Sequence, residues 1–255
     1  MSGTEMSSAE GVRVFDAHRI AGPVPGEPAA DPAGLLADLD HLGIDACAVT
    51  TSAELLGDPA GAPARDAART WSARARFLPV PVIVPAVAGA GWPADVDELL
   101  ATPPAMVRIC PRRHRFDPHG PVASAWWAAL AGHGVPVALD VTECGLDTAA
   151  ALARAWPELG LLLLTPGYRE LRRLAELLDT APGVRVETGT LVAAGAVEWL
   201  ARRFGAHRLV FGSGAPRWDD AGARFLLDHL ELPESDVALI AAGSAAALIG
   251  QRWPW

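Results

Sequence analysis

The chain has 255 residues, half of them apolar and a fifth charged, and carries a formal net charge of −9 with a pI near 5.2. That acidic balance excludes general nucleic-acid binding and attachment to an anionic membrane surface. Aliphatic runs such as LGLLLL at 159–164 are far short of the about 20 residues that span a bilayer.

The first eleven residues, MSGTEMSSAEG, are polar, lack a secretory core and read as a flexible tail. A single domain is expected from residue 12 to 255. Cys47, Cys110 and Cys144 are odd in number and widely spaced, which fits free thiols in a reducing compartment, and a cytoplasmic location is expected.

From residue 13 onward, short apolar runs alternate with helical patterns. The runs lie at 13–17, 46–50, 77–84, 106–110, 136–141, 160–165, 184–189 and 208–213. Most are apolar on both faces, as parallel strands covered on both sides require. Between the first two, Asp31 is placed to cap a helix with Pro32 in its first turn and Gly43 at its end. Leu35, Leu36, Leu39 and Leu42 give that helix one apolar stripe. Similar stripes occur at Val96/Leu99/Leu100, Trp126/Trp127/Leu130, Leu171/Leu174/Leu178 and Val197/Leu200/Phe204. A helix is expected to open at Asp147 and end near Trp156, and two closing helices at 219–230 and 235–249. Eight strands alternating with helices predict a single (β/α)8 barrel. An open doubly wound sheet is the competing architecture, but no strand leads into a glycine-rich dinucleotide or phosphate loop.

The active site of such a barrel lies at the C-terminal ends of its strands. Asp16 and His18 stand there on the first strand, and alternation predicts that they point the same way. Arg108 and the loop PRRHRFDPH, with Arg112 and His114, follow the fourth strand. Asp140 ends the fifth, Thr165 the sixth, Glu187 the seventh and Ser213 the eighth, with Trp218 just beyond. Asp16, His18, Asp140 and Glu187 are the candidates for proton transfer. Arg108, Arg112, His114, Thr165, Ser213 and Trp218 are the candidates for holding substrate, the arginines because guanidinium forks suit anions. Cys110 and Cys144 near the same mouth read as apolar filler more readily than as nucleophiles. Trp126, Trp127, Trp156 and Trp199 are expected to pack between helices and barrel, and Trp253 and Trp255 to dock on the barrel or on a second subunit.

Six segments, in order, resemble the amidohydrolase-related family of metal-dependent hydrolases and decarboxylases: VFDAHRI, HLGIDACAVTTS, HGVPVALD, WPELGLLLLTPG, RLVFGSGAP and SAAALIG. Together they run from about residue 12 to 250, and the resemblance implies the same barrel. It also implies metal ligands at five positions, two on the first strand and one each on the fifth, sixth and eighth. Only His18 is kept; Ile20, Asp140, Thr165 and Gly214 fill the other four. Isoleucine and glycine ligate nothing, so no metal and no cofactor is expected.

Three functions stay open at this stage. One is a metal-independent acid–base enzyme acting on a small anion, by hydrolysis, lactone opening or closing, or a related lyase step. The second is a catalytically inactive barrel serving as a binding or scaffold subunit, which a mouth plugged by apolar side chains over His18 and Asp140 would favour. The third is a metal hydrolase using Asp140, Glu187 and His18. The expected partners are a small anionic molecule and a second copy of the chain.

Overall fold

The computed structural model describes residues 12–27, 31–72, 75–87 and 89–250. The tail at 1–11 and the tryptophans at 253 and 255 lie outside them. Eight parallel strands occur in chain order: β1 (Phe15–Ala21), β2 (Ala46–Thr51), β3 (Phe77–Pro79), β4 (Val107–Ile109), β5 (Val137–Asp140), β6 (Leu161–Leu164), β7 (Val184–Glu187) and β8 (Leu209–Val210). They form a three-stranded sheet, β1-β2-β3, and a five-stranded sheet, β4 to β8, each in sequence order. Two sparse seams close the ring. Val82, beyond β3, bridges Arg108 of β4, and Arg19 of β1 bridges Ala215 beyond β8. Ala17 N–H donates to Phe211 O at 3.0 Å, and Gly214 N–H to His18 O at 2.9 Å. The expected eightfold barrel is thus the observed fold.

The strand ladder of the third unit is shorter than its apolar run. Pro79 and Pro81 lack N–H groups, so regular pairing stops at Pro79 and resumes only as bridges at Val82 and Val84. Leu161–Leu164 shows why these strands read as unbroken aliphatic runs. Leu162 and Leu164 fill the barrel lumen with Phe15, Ala17, Ala48 and Ala138. Leu161 and Leu163 face outward into a second core with Leu39, Trp127 and Leu200. Both faces are dry, and each leucine so buried contributes about 2 kcal/mol.

The helices are α1 (Pro32–Leu42), α2 (Ser52–Leu56), α3 (Ala62–Ser72), α4 (Val96–Ala101), α5 (Pro121–Gly132), α6 (Val141–Ala155), α7 (Leu171–Thr180), α8 (Ala196–Phe204), α9 (Asp220–Asp228), α10 (Glu234–Ala238) and α11 (Ser244–Ile249). Asp31 caps α1 by accepting from Gly34 N–H at 2.7 Å, and Gly43 ends it in the left-handed conformation. Helix α6 starts at Val141, six residues before the expected Asp147, because Asp140 caps it through Thr142 N–H. Gly145, at φ 75°, then breaks it into a short turn and a longer helix. The expected helix at 235–249 is α10 and α11 joined by a wide π-type turn over Leu239–Gly243. Trp126 and Trp127 are buried as expected. Trp199 is not: it is 46% exposed, with its ring edge-on to Phe204.

Candidate functional site

The first strand corrects the expectation that Asp16 and His18 share a face. Its pairing with β2 shifts between Asp16 and Arg19, so one extra residue is accommodated there. Phe15 and Ala17 face the lumen, which leaves Asp16 between them on the helix side. The bulge then returns His18 to the lumen wall. Asp16 is wholly buried and its acceptors are filled. Oδ1 accepts from His18 N–H at 3.0 Å and Ser213 N–H at 2.9 Å, and Oδ2 from Ser213 Oγ–H at 2.6 Å and Arg19 Nε–H at 2.7 Å. Asp16 therefore stitches β1 to the turn after β8 and is removed from the proton-transfer set. Ser213 is removed from the binding set for the same reason, since both its N–H and its hydroxyl are engaged by Asp16.

His18 and Glu187 come together. Nδ1 of His18 lies 2.9 Å from Oε2 of Glu187, and both side chains are almost fully buried. A carboxylate only accepts, so the proton sits on Nδ1 when the ring is neutral, and Nε2 is then an acceptor. Thr165 N–H also donates to Oε2 at 2.9 Å, which orients the carboxylate. Thr165 holds a left-handed φ of 52° to do so, an uncommon geometry for a β-branched residue. Gly212 makes room for the pair: a Cβ there would lie 2.8 Å from Glu187 Cγ and 3.2 Å from His18 Cβ.

Arg108 and Asp140 form a second pair. Arg108 Nη2 donates to Asp140 Oδ2 at 3.2 Å, while Asp140 Oδ1 accepts from Thr142 N–H at 2.9 Å and Thr142 Oγ–H at 2.6 Å. Arg108 is 2% exposed. A cavity of about 10 Å³ lies at the barrel centre, lined by His18, Thr50 and Arg108 together with Ala48, Met106 and Leu164. That is room for about one water. His18 Nε2, Arg108 Nε and Nη1, Thr165 Oγ1 and Glu187 Oε1 are buried and lack a hydrogen-bond partner. Each such atom costs about 1–3 kcal/mol when left unmet, so their gathering in one barrel is a strong local feature.

Above them the C-terminal face is partly closed. Ile20, Val24, Leu55 and Cys110 pack as a separate buried apolar cluster drawn from the ends of β1 and β4, the loop after β1, and α2. Burial pushes the Cys110 thiol up to about 11 and the Cys144 thiol up to about 12, so neither is a ready nucleophile.

Three other expected residues lie elsewhere. Arg112 is exposed and reaches Thr142 O at 3.3 Å, over the broken start of α6. His114 is half-buried on the loop after β4, and burial, followed by the charge of Arg113, lowers its pKa. Trp218 is 46% exposed and lines a hollow on the rim rather than the central cavity. The residue the sequence reading missed is Arg19. Its Nη1 donates to Asp220 at 2.7 Å while its Nε holds Asp16. Only the bulge places it there.

The donor set does not suit a metal ion. Asp140 is occupied by Arg108 and Thr142, His18 Nδ1 by Glu187, and a buried guanidinium repels a cation in the same lumen. At Gly214 a Cβ would lie 2.7 Å from Trp218 and 3.4 Å from His18 Nδ1, so a carboxylate could return to that position only if the indole moved. Among the described residues no group of three or more His, Cys, Asp or Glu side chains is placed to hold a metal. No helix among them is long and apolar enough to cross a membrane.

Comparison with solved structures agrees with the architecture. The chain superimposes on an uncharacterized TIM-barrel protein from Bordetella bronchiseptica with a TM-score of 0.74 at 14% identity, covering 93% of this chain and 98% of that one. It superimposes on 5-carboxyvanillate decarboxylase from Sphingomonas paucimobilis with a TM-score of 0.70 at 14% identity, covering 93% and 99%. The manganese-bound 5-carboxyvanillate decarboxylase of Novosphingobium aromaticivorans gives 0.71 at 14% identity, covering 94% and 97%. At this identity the likeness is one of fold. No curated protein matches the chain. A family model described as amidohydrolase matches residues 17–251, nearly the whole described barrel, and the chain belongs to the amidohydrolase family.

Proposed function

We propose that this chain is an acid–base enzyme on the amidohydrolase scaffold that acts on a small anionic substrate without a metal. The observation that carries the reading is the orientation of His18. Its Nδ1 is held by Glu187, and its unpaired Nε2 belongs to a side chain that lines the same cavity as Arg108, which has two unpaired nitrogens. In this reading His18 takes a proton on Nε2 from a water or a substrate hydroxyl. Glu187 stabilises the imidazolium that results, and His18 then returns the proton to the leaving group. Arg108 binds the substrate's carboxylate or the oxyanion that develops, with Asp140 fixing the guanidinium from behind. The reaction class is hydrolysis, lactone opening or closing, or a related lyase step.

The test is a screen of lactones, amides and small carboxylates with chelator-treated protein. Turnover is expected to survive the chelator and to fall about 10²- to 10⁴-fold in His18→Asn and in Glu187→Gln. Turnover that appears only with added manganese or zinc, or that is unchanged in both variants, overturns the proposal.

One observation favours a second reading, a barrel kept as a binding or scaffold subunit. The central cavity holds only about one water, beneath the apolar cap of Ile20, Val24, Leu55 and Cys110. A substrate larger than water requires that cap to lift. Absence of turnover across the screen, with no ligand protecting the barrel from unfolding, would support this second reading.

A further inference from the structure

We infer that the rim of the barrel carries a second binding site, sharing only Arg19 with the lining of the central cavity, for a small zwitterion of the amino-acid type. A hollow of about 400 Å³ lies between the end of β1, helix α1 and the loop joining β8 to α9. That volume is in the range of small-molecule sites.

Arg19 lines it. This side chain is 3% exposed and joined to Asp16 and Asp220, yet its Nη2 is buried without a partner. A buried guanidinium N–H left unmet is costly and calls for an acceptor such as a carboxylate or carbonyl oxygen. Arg217, exposed on the same hollow, adds a second positive group. The remaining charges point the other way. Glu27 and Asp38 are exposed carboxylates lining the same hollow, contributed by the loop after β1 and by α1. Asp219 also lines the hollow, but its Oδ1 caps α9 by accepting from Ala221 N–H at 3.1 Å. With Asp220 and Asp16 already on Arg19, the lining as a whole is more acidic than basic, which disfavours a plain anion. Trp218 supplies a half-exposed aromatic wall, suited to a planar group or to the face-on approach of an ammonium. An ammonium near Glu27 and Asp38, a carboxylate toward Arg19 and Arg217, and an aromatic body on Trp218 satisfy the groups together. No single-charge ligand does.

Isothermal titration of the full chain tests this with L-phenylalanine, 3-phenylpropanoate, which lacks the ammonium, and phenethylamine, which lacks the carboxylate. Phenylalanine is expected to bind about tenfold tighter than either, because each omitted charge removes a charge-assisted contact. Trp218→Ala should weaken all three ligands, and Asp38→Asn should erase the preference over 3-phenylpropanoate. Both positions are exposed, so both variants are expected to fold. His18→Asn should leave the titration unchanged, which keeps this site distinct from the central one. No binding of phenylalanine, equal binding of phenethylamine and phenylalanine, or a preference indifferent to both rim variants overturns the inference.

Discussion

Two of the buried arginines, one near each end of the barrel, are treated in opposite ways. Arg208 lies at the N-terminal end of β8. It gives its Nε–H to Val184 O at 2.7 Å, Nη1–H to Leu178 O at 3.3 Å and Nη2–H to Ala181 O at 2.6 Å. Each nitrogen of its guanidinium has an acceptor, and it clamps the end of α7 and the start of β7 to β8. Arg108 lies on β4, just short of the C-terminal face. It has one partner, Asp140, and leaves two nitrogens without any. In barrels of this kind the N-terminal face carries stability and the C-terminal face carries chemistry. The arginines follow that division: one is fully engaged by backbone, the other is kept available.

The largest effect is expected from Arg208→Ala. Three buried carbonyls lose a charged donor, and urea unfolding should show a loss of about 4 kcal/mol. Arg108→Met should cost less, about 2 kcal/mol, because the loss of Asp140's counter-charge is offset by removal of two unmet N–H groups, and Asp140 keeps both Thr142 donors. Arg108→Met with Asp140→Asn removes both charges while keeping an acceptor for the Thr142 donors at the start of α6, so it should recover part of that loss. If Arg108→Met were as damaging as Arg208→Ala, the contrast between the two faces would fail.

The smallest effect concerns another buried charge, Glu54, which closes a capping box with Thr51 at the start of α2. Burial raises its pKa, although the hydrogen bonds from Thr51 oppose the shift. The folded chain therefore holds this proton more tightly than the unfolded chain. The contribution of Glu54 to stability falls as pH rises from the ordinary carboxylate pKa toward the raised one. Glu54→Gln keeps the cap geometry, so its melting temperature should gain on the parent chain as pH rises above the ordinary carboxylate range and gain nothing below it. A difference that does not change with pH would remove Glu54 from the account.

Much of the architecture was legible because apolar content and period carry it. The eight strand runs, α1 with its Asp31 and Gly43 ends, and the late helices were readable in outline. Helices α2 and α3 were not. The first is five residues long, and its signal was the Thr51-x-x-Glu54 box rather than a stripe. The second, APARDAARTWS, is too polar to stand out. The site was legible as a set of residue types at strand ends, and less so as an arrangement. The pairing of Arg108 with Asp140 could be read from neighbouring strands. The bulge that moves Asp16 away from His18 has no signature in FDAHRIA, because it arises from how β1 matches β2. The engagement of Ser213 by Asp16 and the placement of Trp218 on the rim follow from that same local geometry, so they were out of reach as well.

The sparse seams have one further consequence. The ring is a clamshell of two pieces, three strands and five, with few ladder bonds along its parting lines. Arg108 stands on one parting line and His18 on the other. A small breathing motion of the shells would leave Arg108 with Asp140, which ride on the same five-stranded piece, and would load the bond from His18 to Glu187, which crosses the parting line. His18 and Glu187 therefore act as a clasp across the opening, and the lumen widens on that side only as the clasp lets go.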